Sequence, residues 1–233
     1  LEKPEVATAT KEVKPKVFTP KGRLSFPTWT AEEAYTRSQK GQYPAKDVAS
    51  ASGEFTLLLD AAQWEAVKAH VIDVFLPYCV DQSKRGEKKD ALDANEVKAL
   101  IAGLEGDLAA QTFNTPFKAV SDKTLALYPD AVAGIKCIGP KGGTIEQRAV
   151  VNDESELAVP DPDVLTFPLI KPIKGTVHEL YPGCRAAATV QFYAYHNGKH
   201  PGFSAGVSTC VFLMDDERFG GGAGVDEDAI FMD

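Results

Sequence analysis

Two tyrosines, two residues apart, are the side chains in this sequence with the most readable chemistry. In residues 189–196 the alternation sets Val190, Phe192 and Ala194 on one face of a strand and Gln191, Tyr193 and Tyr195 on the other. Valine, phenylalanine and alanine belong in a core, so the tyrosines fall outside, where an open ring stacks a planar base for roughly 1–3 kcal/mol. The competing reading packs both rings under a helix or between two copies of the chain. Arg185 at the start of the strand, Lys199 and His200 in the turn after it, and Lys171 and Lys174 upstream would supply charges along a phosphate path. Trp29, Tyr35 and Tyr43, interleaved with Arg37, Lys40 and Lys46, form a second aromatic and basic stretch that could clamp a strand of nucleic acid.

Other chemistries have less behind them. His70, His178, His196 and His200 include neither an H-E-x-x-H motif nor a Cys/His cluster, so no metal is expected, and no cofactor either. There is no Walker loop and no G-x-S-x-G, and residues 139–143 lack the Lys-Ser/Thr ending of a phosphate loop and read as a turn. The expectation is a binding protein and not an enzyme. Two alternatives stay open: a small metal- or nucleotide-dependent β-barrel enzyme built on His178, Glu179, His196 and His200, and a virion assembly protein.

The elements that must position these residues follow from periodicity. Residues 16–27 read as a strand broken at Pro20, and residues 53–60 as a second strand in which Phe55, Leu57 and Leu59 alternate with Glu54, Thr56 and Leu58. Residues 29–52 between them read as a long polar loop. Asp60 with Gln63 marks a helix start, followed by Trp64, Val67, Val71, Val74, Phe75 and Tyr78 at helical spacing and an end near Pro77. Asp93 with Glu96 marks another, closed by Gly103 and Gly106, and residues 81–90 between them read as a charged loop. Strands are expected at residues 131–138, near 145–151, at 183–195 and at 203–214, with residues 152–163 an acidic connector. Strands at both ends with helices between them suggest a mainly β fold on a small closed barrel, and a β-sandwich with a helical insertion is the alternative. The domain reading is a flexible arm over residues 1–15, a barrel domain over 16–218 with a helical insertion over about 60–106, and a glycine hinge and acidic tail over 219–233.

Charge supports that division. From residue 215 to the end there are seven acidic residues and one arginine, a net of −6, so of the total of −8 the rest of the chain carries −2. Residues 11–46 hold eight basic side chains against three acidic ones, which makes a local positive surface available. Gly220, Gly221, Gly222 and Gly224 would tether Asp226, Glu227, Asp228, Ile230 and Phe231 loosely, so that the acids compete for a basic groove while the apolar pair anchors in a partner pocket. The cysteines Cys79, Cys137, Cys184 and Cys210 are far apart with no C-x-x-C pair, and read as free buried thiols. No apolar run approaches the roughly 18 residues that span a bilayer, so the expectation is a cytoplasmic protein with no membrane partner.

Residues 181–184 (Tyr-Pro-Gly-Cys), 188–195 (Ala-Thr-Val-Gln-Phe-Tyr-Ala-Tyr), 206–213 (Gly-Val-Ser-Thr-Cys-Val-Phe-Leu) and 216–221 (Asp-Glu-Arg-Phe-Gly-Gly), in this order, together resemble the OB-fold single-stranded DNA-binding proteins of tailed bacteriophages. Residues 17–27 look like that family's first strand. The resemblance covers about residues 16–60 and 131–233, and matches the helices between only in position and length. It implies a five-stranded Greek-key barrel that coats single-stranded DNA without strong sequence preference during phage replication, recombination and repair in the host cytoplasm. It further implies an acidic tail that recruits replication proteins such as a polymerase, helicase or nuclease. The ending Asp226-Glu-Asp-Ala-Ile-Phe231 is similar to the tails of bacterial single-stranded DNA-binding proteins, although Met232 and Asp233 follow it here. By the same resemblance Trp29, Tyr193 and Tyr195 are stacking candidates. Lys16, Lys21, Arg23, Arg185 and Lys199 are candidates for phosphate contacts, and a homodimer is compatible with the sequence.

Overall fold

The computed structural model describes residues 14–110, 113–150, 170–172, 180–197 and 200–219. The chain begins with β1 (Val17–Phe18) and β2 (Lys21–Thr28), divided at Pro20, which has no N–H to give to a ladder. Next comes α1 (Ala31–Ser38), whose first turn is closed by a capping box between Thr30 and Glu33. After β3 (Ser52–Leu59) come α2 (Ala61–His70), α3 (Leu76–Lys84) and α4 (Ala94–Glu105), then the two-residue β4 (Phe117–Lys118) and the short α5 (Asp122–Leu127). The remaining elements are strands: β5 (Ala133–Lys141), β6 (Glu146–Val150), β7 (Ile170–Pro172), β8 (Arg185–Asn197) and β9 (His200–Met214).

Hydrogen bonding orders the strands β1-β8-β2-β3-β5-β9-β6-β7, and β8 also pairs with β9. The path β2-β3-β5-β9-β8 therefore closes on β2. Counted along the chain, the five barrel strands lie in the order first, second, third, fifth, fourth, antiparallel throughout except where β5 runs parallel to β9. This is the Greek-key barrel of the OB-fold with inserted helices, as the sequence led one to expect. The turn at residues 139–143 carries the chain onward along β9, since β5 and β6 both run parallel to that strand. It is held from the side, with Ala31 N–H donating to Gly143 O (3.0 Å) and Ile145 N–H to Trp29 O (2.8 Å).

The two expected helix starts are present, each with its capping box. Pro77 does not end the first helix. A π-helical turn at Val71–Phe75 shifts the hydrogen-bond register, and Pro77 then sits in the first turn of α3, where a missing N–H costs little. The charged loop thus starts after Lys84. Three short elements were not expected, and of these α1 alone falls in an expected loop. α1 lies inside the polar stretch after β2, α5 starts at the Ser121 cap, and β4 is too short to carry a period.

The helical insertion packs against the inner face of the β8–β9 hairpin. Phe75 meets Phe192 at 5.4 Å and Phe203 at 5.6 Å between ring centroids, and Phe117 bridges Trp64 (4.9 Å) and Phe203 (5.8 Å). Each fully buried phenylalanine contributes about 1.5–3 kcal/mol. The four cysteines are free and buried, as expected. Burial pushes the Cys79 and Cys184 thiols up to about 12, and those of Cys137 and Cys210 well above the ordinary thiol range, so they behave as small apolar side chains.

Candidate nucleic-acid interface

The strand phase read from the sequence holds. Phe192 and Ala194 point into the core, while Tyr193 is 37% exposed and Tyr195 half-buried, with ring centroids 6.2 Å apart and planes inclined by 41°. Their floor is glycine. A Cβ on Gly206 would lie 3.4 Å from Tyr193 Cε1, and one on Gly202 3.3 Å from Tyr195 Cζ and only 2.6 Å from Asn114 O. The rings therefore rest on bare backbone of β9. Partial burial, and then the neighbouring Tyr193, push the Tyr195 hydroxyl pKa up, so the ring is neutral at physiological pH.

The same outer face continues across the barrel. Tyr193 lies opposite Ser204 and Gln191 opposite Gly206; Gly206 neighbours Ile138 on β5, and Ile138 neighbours Glu54 on β3. Two residues back on the same face of β5, Lys136 pairs in register with Thr56 and forms a 2.7 Å ion pair with Glu54. Lys118 of β4 is exposed nearby, its pKa lowered first by desolvation and then by the Lys136 charge, with Glu54 acting in the opposite sense. The face thus runs from two rings over Gly206 and Ile138 to Lys118 and to Lys136, the latter paired with Glu54. Sequence reading overlooked Lys118 and Lys136. The alternation of Ile135 and Cys137 with Lys136 and Ile138 was the available signal for Lys136, whereas β4 left none for Lys118.

Several expected phosphate contacts are engaged inside the protein. Lys16 Nζ donates to Asp90 Oδ2 at 2.5 Å, and Asp90, only 3% exposed, also accepts the Ala194 N–H at 3.0 Å. Arg23 is 5% exposed: its Nε donates to Gly183 O at 2.9 Å, its Nη2 donates to Glu217 O, and its guanidinium lies 4.9 Å from the Tyr128 ring centroid and 4.5 Å from that of Phe219. Arg185 Nε donates to Asp216 Oδ2 at 2.8 Å. Arg185 is also ten residues from Tyr195, about 33 Å of strand, so the two do not flank the same bases. The structure therefore separates Arg185 from the tyrosines beside which the sequence reading had set it.

The second aromatic stretch is split between packing and exposure. Trp29 is half-buried with its ring 5.8 Å from Phe55, and Tyr35 and Arg37 are half-buried on α1, Arg37 Nη1 donating to Phe26 O at 3.4 Å. Tyr43 is 85% exposed. Lys21 is half-buried at the start of β2, opposite Ala187, and Lys171 occupies β7 opposite Ala149. Lys174, Lys199 and the tail residues Asp226, Glu227, Asp228, Ile230 and Phe231 lie outside the described residues.

Of the histidines in the alternative enzyme reading, His196 Nε2 is 3.0 Å from Glu96 Oε1, and His178 and Glu179 lie outside the described residues. Among the described residues no group of three His, Cys, Asp or Glu is arranged to hold a metal, and no helix is long and apolar enough to cross a membrane.

Neither a family model nor a curated protein matches the chain. Among solved structures it is similar to the single-stranded DNA-binding protein from bacteriophage Enc34, at 16% identity and a TM-score of 0.45 over 94% of this chain and 96% of that one. The same phage protein in complex with ssDNA gives 16% identity and a TM-score of 0.45 over 91% and 97%. The gp2.5 single-stranded DNA-binding protein encoded by bacteriophage T7 gives 10% identity and a TM-score of 0.39 over 91% and 98%. All three are structures of phage single-stranded DNA-binding proteins.

Proposed function

We propose that this chain binds single-stranded DNA along the outer face of its barrel. Bases stack on Tyr193 and Tyr195, and phosphates lie toward Lys136 and Lys118. The observation that carries the reading is the platform itself: two adjacent outward rings, seated on glycine and backed by a phenylalanine core. Stacking of this kind tolerates any base, because every base has a π face, and it suits a coating protein with little sequence preference. Lys171, Lys174 and Lys199 are further phosphate candidates, while Lys16, Arg23 and Arg185 are assigned to holding the fold. The chain acts without catalysis, protecting exposed strands during phage replication, recombination and repair in the host cytoplasm. Its acidic end, Asp226, Glu227, Asp228, Ile230 and Phe231, recruits replication proteins and competes with DNA.

Fluorescence titration with oligo-dT tests this. Binding is expected to be tight, to favour single over double strands, and to weaken with salt by about 0.7 log units per log unit for each phosphate contact. Preference for duplex, or binding indifferent to salt, would overturn the proposal.

A further inference from the structure

The turn that follows α3 carries Lys84, Arg85, Lys88 and Lys89, all exposed, with Glu87 the only acid among residues 84–89. Lys84 lies 3.8 Å from Asp81, but both side chains are more than half exposed, so the contact neutralises little. Gly86 at the tip has a φ of +75° with open space around it. A run of charge like this is ordinarily a solvated surface. What distinguishes this one is its anchor. The next residue, Asp90, is buried with a φ of +57°, a left-handed conformation that aspartate tolerates, and its carboxylate accepts the N–H of Ala194 between the two tyrosines. Successive Cα atoms are about 3.8 Å apart, so Lys89 and Lys88 lie one and two such steps from a residue bonded to the platform backbone. The helix α3 that leads into the turn directly follows Phe75, which packs against Phe192 and Phe203 beneath the platform.

We propose that residues 84–89 form a second phosphate-binding site, which takes up the backbone of a single strand as it leaves the Tyr193–Tyr195 platform. The site rests on the single-strand reading above, and it extends the bound length from the barrel onto the helical insertion. Asp90 is its positioning residue, because it fixes the turn against β8.

Oligo-dT of increasing length separates the two claims, using the full chain and a Lys84→Ala, Arg85→Ala, Lys88→Ala, Lys89→Ala variant. All four side chains are exposed, so the melting temperature is expected to hold. The variant is expected to match the wild type on the shortest oligomer that binds and to fall about 10-fold behind on long ones. Its salt slope should be lower by about 1.4, the value for two lost single-strand contacts. Equal affinity and equal slope on long oligomers would overturn the site, as would a loss that is the same at every length. A wild-type chain that binds no oligomer would overturn the single-strand reading itself, and the site with it.

Discussion

At Arg23 one guanidinium holds two backbone carbonyls, lies 3.5 Å from Asp216 and packs on two rings, all with 5% exposure. Its removal takes this donor from the buried Gly183 carbonyl. Arg23→Ala is therefore expected to cost about 2–3 kcal/mol in denaturant unfolding while leaving the salt slope of binding unchanged. A lower slope with unchanged stability would return Arg23 to the DNA path. His70 makes a pH prediction. Its ring lies 4.9 Å from that of Phe18 with Nε2 on Pro15 O, and burial lowers its pKa from the ordinary 6.5, the Pro15 hydrogen bond partly opposing this. The unfolded chain then binds the proton more readily than the folded one. The His70 contribution should be flat above pH 6.5, erode as pH falls through that value, and level off once the folded ring is protonated too. Melting curves from pH 8 to pH 4, with His70→Gln as reference, check it: the wild type should lose more stability on acidification. Residue types and strand phase made Tyr193, Tyr195 and Phe192 legible in the sequence. The partners of Lys16 and Arg23 were not, because Asp90 and Asp216 lie 74 and 193 positions away and only the fold brings them close.

At the scale of elements, the readable helices were those with an apolar stripe and an Asp cap, α2 and α4. α1 was hidden because its only buried residue is Ala31, and what fixes it is the Thr30–Glu33 box. Thr30→Ala is accordingly expected to destabilise the protein by about 1 kcal/mol, measured by denaturant unfolding. No change would mean that the packing of α1 on β3 suffices without the cap. The β8–β9 hairpin was readable from alternation alone. Its glycines, Gly202 and Gly206, could not be recognised as a floor for the rings until the cross-strand register was known.

At the scale of the whole molecule, the barrel closes through β8 with β9 and β2, and the helical insertion turns that closure into a stiff platform by filling the inner side of the hairpin. Barrel closure was expected from strands at both ends of the chain, but the parallel β5–β9 pair is a fact of topology with no local signature. The acidic end was read from its charge, its glycine hinge and its apolar pair. If it competes with DNA, a chain lacking residues 226–233 should bind oligo-dT more tightly than the full chain at low salt, and the two should converge as salt screens the tail. Equal affinities at low salt would remove the competition. The central claim is tested most directly by Tyr193→Ala with Tyr195→Ala, measured for oligo-dT affinity and melting temperature together. Two lost stacking contacts predict a loss in affinity of about 30-fold or more with the fold intact. Unchanged affinity, or a melting temperature that collapses as truncation of Phe192 would make it, would contradict the platform.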